Sequence, residues 1–313
     1  MERISTASAY NSVLANLMAA QVTQTTAGNQ LSSSEKATNL QGYGTGAETL
    51  LALQATATQV TSYLNNTQTV SAKLSTQDSA LNEVAGGASG ALKAITQSLA
   101  SGNGTTLMAS LQNAFSNAVE GLNSTYNGEY LFAGGQVNTQ PVSAASLSDL
   151  TAGPIAGLFH NDQRQISTQL DQNTAVSTGF RADSVGTPLF QALAAIEAYN
   201  QGPNGPFGAQ LTSVQASFLS SQIANLDVVE SNLNNVVAQN GQAQNEVTNA
   251  QSDLTQRQTM LQGLVGNITD ADLAKATTDL QQAQLSIEAA GQVFQALNGA
   301  SLLNVLAAPT AIR

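Results

Sequence analysis

Two stretches of this chain repeat apolar residues every three to four positions, and no other feature limits its possible folds so tightly. From Leu50 the a and d positions of a heptad read Leu50, Leu53, Ala57, Val60, Leu64, Thr67, Ser71, Leu74, Asp78, Leu81, Ala85, Ala88, Leu92, Ile95 and Leu99. Twelve of the fifteen are apolar, which predicts one long coiled-coil-like helix rather than a series of short ones. At 1.5 Å per residue it would run roughly 75 Å. The second run reads Leu226, Val229, Leu233, Val236, Asn240, Ala243, Val247, Ala250, Leu254, Arg257, Leu261 and Leu264. Ten of these twelve are apolar, so a second long helix is expected, beginning near Gln210. If the chain turns back between the two runs, the helices pair antiparallel.

The flanks are weaker. Residues 5 to 33 read as a helix with a thin stripe at Val13, Leu14, Leu17 and Leu31, marginal alone in water. "GYGTGAE" at 42 to 48 reads as a joint between helices. Gly86, Gly87 and Gly90 are expected to soften the middle of the first long helix. "SGNGTT" breaks it, and Leu107 to Tyr126 resumes. "GNITDAD" ends the second long helix, with Thr269 as the expected N-cap of a last helix and Asp270 and Asp272 in its first turn. That helix carries Leu273, Ala276, Leu280, Ala283, Ile287, Ala290, Phe294 and Leu297.

Helical periodicity stops at "NGEYLFAGGQV", where Tyr126, Tyr130 and Phe132 precede Gly134 and Gly135. A short strand is expected here, with Tyr130 and Phe132 on one face, Leu131 on the other, and the glycine pair as the turn. The stretch to about residue 186 is rich in Gly, Pro and Ser and reads as a small β-hairpin region. "GTPLFQALAAIEAYN" reads as a short helix with Pro188 near its first turn. The aromatic knot fits a local core under a hairpin, or a carbohydrate or base platform.

Composition narrows the function classes. Charged residues make up 9 % of the 313 and aromatics 4 %. Such a chain packs through many small contacts and stays soluble through neutral Gln, Asn, Ser and Thr. The net charge is −11 and the nine Lys and Arg are scattered, so nucleic acid is not an expected partner. With no cysteine there is no disulfide or thiolate site. No apolar run reaches the length of about 18 residues that a membrane helix needs, so membrane insertion is not expected. The N-terminus lacks the apolar core of a cleavable signal.

No reactive constellation stands out. His160 is the only histidine and no G-x-S-x-G elbow accompanies it. Asp270 and Asp272 lack the later ligands and central glycine of a calcium loop. "GYGTGAE" follows no strand and lacks the lysine of a phosphate cradle. No catalytic, cofactor-binding or metal residue is expected, and the protein is read as a non-enzyme. What remains is the apolar stripe of the terminal helices, too thin to stand alone and therefore an expected interface.

Three segments together resemble a known family: "RISTASAYNSVL" at the N-terminus, "NGEYLFAGGQVNTQPV" after the long helix, and "DLQQAQLSIEAAGQVFQALNGASLLNVL" near the C-terminus. They are similar to the flagellin and flagellar hook-associated protein superfamily, with motifs at Arg3 to Thr6, Gly128 to Gly134 and Phe294 to Leu306. Within it they are most similar to the hook-associated proteins that join hook to filament. Where flagellins carry a "SGKRINSAKDD" type segment, this chain holds "LSSSEKATNLQGYGTG", a departure that favours the junction type.

The resemblance implies a fold that is mainly α: an elongated antiparallel long-helix bundle with a small β-hairpin region in mid-chain and paired terminal helices. The expected regions are 1–42 and 267–313 for an assembly domain, 43–136 and 206–266 for a helical core, and 137–205 for a reduced outer region. It implies export without a cleaved signal, a place at the hook–filament boundary outside the cell, and self-assembly through terminal helices. The implied interface is Leu14, Leu17, Leu280, Ile287, Phe294, Leu297, Leu302, Leu303 and Leu306. Implied partners are further copies of the chain, another hook-associated protein on the hook side, flagellin on the filament side, and an export chaperone. A filament flagellin and a surface adhesin or glycan-binding module are the alternative readings.

Overall fold

The computed structural model describes the backbone of residues 2–306 and the side chains of residues 8–297. Seven α-helices follow one another along the chain: α1 (Glu2–Ser33), α2 (Ala47–Ser101), α3 (Leu107–Leu122), the single turn α4 (Asp149–Ala152), α5 (Ala182–Gln201), α6 (Ser213–Thr269) and α7 (Leu273–Leu306). Two antiparallel hairpins lie between α3 and α5: β1 (Thr125–Tyr126) with β2 (Glu129–Tyr130), and β3 (Ser167–Gln169) with β4 (Ala175–Ser177). The fold is mainly α, built on long helices with small hairpins in mid-chain. Residues 60–257 form one compact unit, and residues 1–59 with 258–313 form the other.

The larger unit holds the main core. Within it α2 and α6 run antiparallel: just beyond the end of α2 the Gly104 amide donates to the carbonyl of Gly208, which precedes α6, at 2.8 Å, and far along the two helices Asn240 bonds the Leu74 carbonyl at 3.1 Å. Phe115, Phe132 and Phe190 are fully enclosed with the leucines of α3 and α5. The Phe115 and Phe190 rings sit 5.1 Å apart, and Phe159 stacks on Phe190 at 5.2 Å. Each such ring removes far more apolar surface from water than the alanines that dominate elsewhere.

α2 runs unbroken through its glycines, so the expected softening is absent. Gly87 is instead a point of close approach. A methyl there would lie 2.6 Å from the Ala114 carbonyl oxygen of α3, and one on Gly121 would lie 2.6 Å from that of Ala80. Both glycines let two backbones pack where any side chain would collide. The seam of α2 also differs from the expected heptad. Its d positions Val60, Thr67, Leu74, Leu81, Ala88 and Ile95 are buried as expected. Two further rows are buried: Ala80, Gly87 and Ala94, and Val70, Gln77, Val84, Ala91 and Ser98, the latter one residue ahead of Ser71, Asp78, Ala85, Leu92 and Leu99, which are half-buried. α2 has two neighbours, α3 and α6, and their combined contact widens the buried arc and turns its centre.

The knot at 126–135 also differs from expectation. The hairpin turn is Asn127–Gly128, with φ of 53° and 84°, the left-handed pair that a two-residue turn demands. Leu131, Phe132, Ala133 and Gly134 are all buried, without alternation, because the segment passes through the core instead of lying on it. Gly134 and Gly135 mark a second bend, where the Asp162 carboxylate accepts from the Gly135 amide at 2.8 Å and the Arg164 amide at 2.9 Å. Those amides, Gly135 foremost, hold the Asp162 carboxyl below its usual range.

α5 begins at Ala182, four residues before the expected "GTPLF" start, with Pro188 inside it. The Ala182 amide donates to the Phe132 carbonyl at 2.9 Å, a tertiary anchor that no local signal carries. The cap of α7 is Asp272, whose carboxylate accepts from the Lys275 amide at 2.9 Å. Thr269, the expected cap, instead gives its hydroxyl to the Val265 carbonyl inside α6 at 3.0 Å.

Candidate assembly surface

In the smaller unit α1 lies antiparallel beside α7, with Tyr10 against Phe294 at 4.9 Å between ring centroids. Their connections are tied at the other end. The Lys36 amide donates to the Thr269 carbonyl at 2.7 Å, the Ala271 amide to Ser34 at 2.9 Å, and the Lys36 ammonium to Asn267 at 3.2 Å. Two hairpin-like joints thus hold the pair in register.

The face that α1 turns to α7 is a heptad of Tyr10, Val13, Leu17, Ala20, Gln24, Ala27 and Leu31, all buried or half-buried. Among the described residues of the two helices, only four side chains are fully buried: Ala20, Ala27, Ala276 and Ala283. A seam whose fully buried side chains are single methyl groups brings two helices close but excludes little water. Beside it runs a groove of about 600 Å³, floored by Ala19, Ala20, Ala283, Ala289 and Ala290.

The larger apolar side chains point elsewhere. On α1, Leu14 is 41 % exposed, Met18 57 % and Val22 66 %. Their i, i+4, i+8 spacing stacks them in one exposed ridge along α1. On α7, Leu285 is 66 % exposed and Val293 46 %. Of the expected interface residues, Leu17, Leu280, Ile287 and Leu297 are half-buried, while Leu14 and Phe294 remain exposed. The side chains of Leu302, Leu303 and Leu306 lie outside the described residues. Met18, Val22 and Leu285 were not among the expected residues, although the Leu14–Met18–Val22 spacing carries the signal. On α7, Asp279 at 2.5 Å from Lys275 holds that ammonium above its usual range.

Elsewhere the chain is chemically quiet. His160 is exposed and its amide donates to the Pro141 carbonyl at 2.8 Å. Among the described residues, no group of three or more His, Asp or Glu is placed to hold a metal. No described helix is long and apolar enough to cross a membrane. "LQGYGTG" forms a 3₁₀ helix, capped by the Asn39 side chain accepting from the Gly42 amide at 3.0 Å.

No curated protein matches the chain. Two solved structures share its fold. One is described as a putative flagellar hook-associated protein from Vibrio parahaemolyticus, with a TM-score of 0.58 and 13 % identity, covering 72 % of this chain and 97 % of that one. The other is FlgL of Bacillus cereus, with a TM-score of 0.53 and 15 % identity, covering 69 % of this chain and 99 % of that one. Residues 4–137, from α1 through the aromatic knot, match the bacterial flagellin N-terminal helical region. The chain thus carries a flagellin-like N-terminal helical region over residues 4–137, within an arrangement of long helices that it shares with both solved structures.

Proposed function

We propose that this chain is a structural subunit of the bacterial flagellum that joins hook to filament by assembling through α1 and α7. The observation that carries the reading is the exposed ridge of Leu14, Met18 and Val22 on a helix pair whose fully buried side chains, among the described residues, are four alanines. Exposed apolar faces on an under-packed pair are stable only when other subunits cover them. In the assembled state Leu14, Leu17, Leu280, Ile287, Phe294 and Leu297 form contacts between copies, and Leu302, Leu303 and Leu306 extend them. The neighbours are another hook-associated protein towards the hook and flagellin towards the filament. An export chaperone covers the terminal helices before secretion.

The test is a fluorescently labelled chain in a strain lacking its own copy. A single spot at each hook–filament boundary is the expected result. Label along the whole filament would make the chain the filament's flagellin instead, and label absent from flagella would overturn a flagellar role.

A further inference from the structure

The seam between α2 and α6 contains a fully buried layer in which two polar side chains meet. Gln77 and Asn240 are both 0 % exposed. The Gln77 amide nitrogen donates to Asn240 Oδ1 at 3.1 Å, and Asn240 Nδ2 donates to the Leu74 carbonyl and Asp78 Oδ1, each at 3.1 Å. Gln244 Nε2 reaches the same Leu74 carbonyl at 3.3 Å. Gln77 Oε1 has no partner.

The layer divides two separate apolar clusters. On one side lies the main core, from Ala80 through Leu233, with its phenylalanines. On the other lies a small cluster of Val70, Leu74, Ala243, Val247 and Ala250, closed over by Leu170 and Val176 of the β3–β4 hairpin. It contains no aromatic ring, and Gly241 sits in the helix beside the layer. We infer that the Gln77–Asn240 layer is an opening boundary built into the larger unit. Residues 60–76 and 243–257 open together with the β3–β4 hairpin, while the core beyond the layer stays closed. The physical reason is a break in apolar continuity at a point where entering water gives Gln77 Oε1 its missing partner. Local opening follows such weak planes between cooperative units.

Hydrogen exchange on the full chain tests this. In the natural chain, amides of 60–76, 243–257 and the hairpin should share one protection level, clearly below that of 80–98 and 215–235. Replacing both polar residues, Gln77→Leu with Asn240→Leu, should raise protection of the outer segments by about tenfold or more, towards the core level. Val176→Ala should lower protection of 60–76 and 243–257 together and leave 80–98 unchanged. Uniform protection through 60–98 in the natural chain would overturn the boundary. So would a Val176→Ala loss that spreads equally into the core.

Discussion

The terminal helix pair and the core around α3 and α5 are built from the same residue pool in opposite ways. Around α3 and α5, phenylalanines and leucines point inward, and Phe115, Phe132 and Phe190 are wholly enclosed. In the terminal pair alanines point inward, while Leu14, Met18, Val22 and Leu285 face solvent. The difference is which apolar residues become fully enclosed: rings and leucines in the core, alanines alone in the described part of the terminal pair. Burial area decides the consequence: large enclosed rings stabilise a monomer, whereas a methyl seam leaves its stabilisation to whatever covers the outer ridge.

The sharpest way to break this contrast is to remove a ring from the core. Phe115→Ala leaves a cavity among Phe190, Leu111 and their neighbours and should cost about 3–5 kcal/mol, read as a large fall in melting temperature. A smaller loss is expected from Gly121→Ala, whose methyl meets the Ala80 carbonyl; overpacking there should cost roughly 1–3 kcal/mol by chemical denaturation. If Gly121→Ala melts like the natural protein, the close α2–α3 contact is not rigid.

Acid sharpens the comparison next. Asp162 has a depressed carboxyl in the folded chain, so its contribution is present above the usual unfolded value of about 3.9 and is lost as pH falls through the lower folded value. The natural protein should therefore lose melting temperature below about pH 4, whereas Asp162→Asn should lack that part of the fall. Parallel acid profiles of the two would remove Asp162 from the account.

The smallest effect on melting is expected in the terminal pair. Phe294→Ala with Leu297→Ala should shift the main transition by no more than about 0.5 kcal/mol, because the core is untouched. The same change should leave cells with hooks and shed filament protein, seen by electron microscopy. A large melting shift would mean that α7 contributes to the monomer's stability as the core helices do, and the contrast would fail.

The regular parts of the fold were legible because period reports burial when a helix has one dominant partner. On α6 the expected positions Leu226, Val229, Leu233, Asn240, Ala243, Val247, Ala250 and Leu254 are the buried ones. On α1 the stripe was visible at Val13 and Leu17, yet the outward Met18 and Val22 were passed over. A weakly amphipathic helix with two apolar faces does not declare which one meets its neighbour. The Asp272 cap lay within a run of three suitable residues, and only the tied joints at Lys36 and Ala271 decide where α6 stops.

By itself the sequence determined the long helices and the break at the aromatic knot. Those follow from spacing and residue type, which act over a few residues. Only the tertiary structure decided which row of α2 is buried, why Gly87 and Gly121 have no side chain, and that Leu131 to Gly134 cross the core. Each of these depends on a second element arriving from far along the chain. α3 presents its carbonyls to Gly87, α6 presents Asn240 to Gln77, and α5 takes the Phe132 carbonyl as its anchor. A local pattern says that a face is apolar; the partner's shape says which side of that face is closed to water.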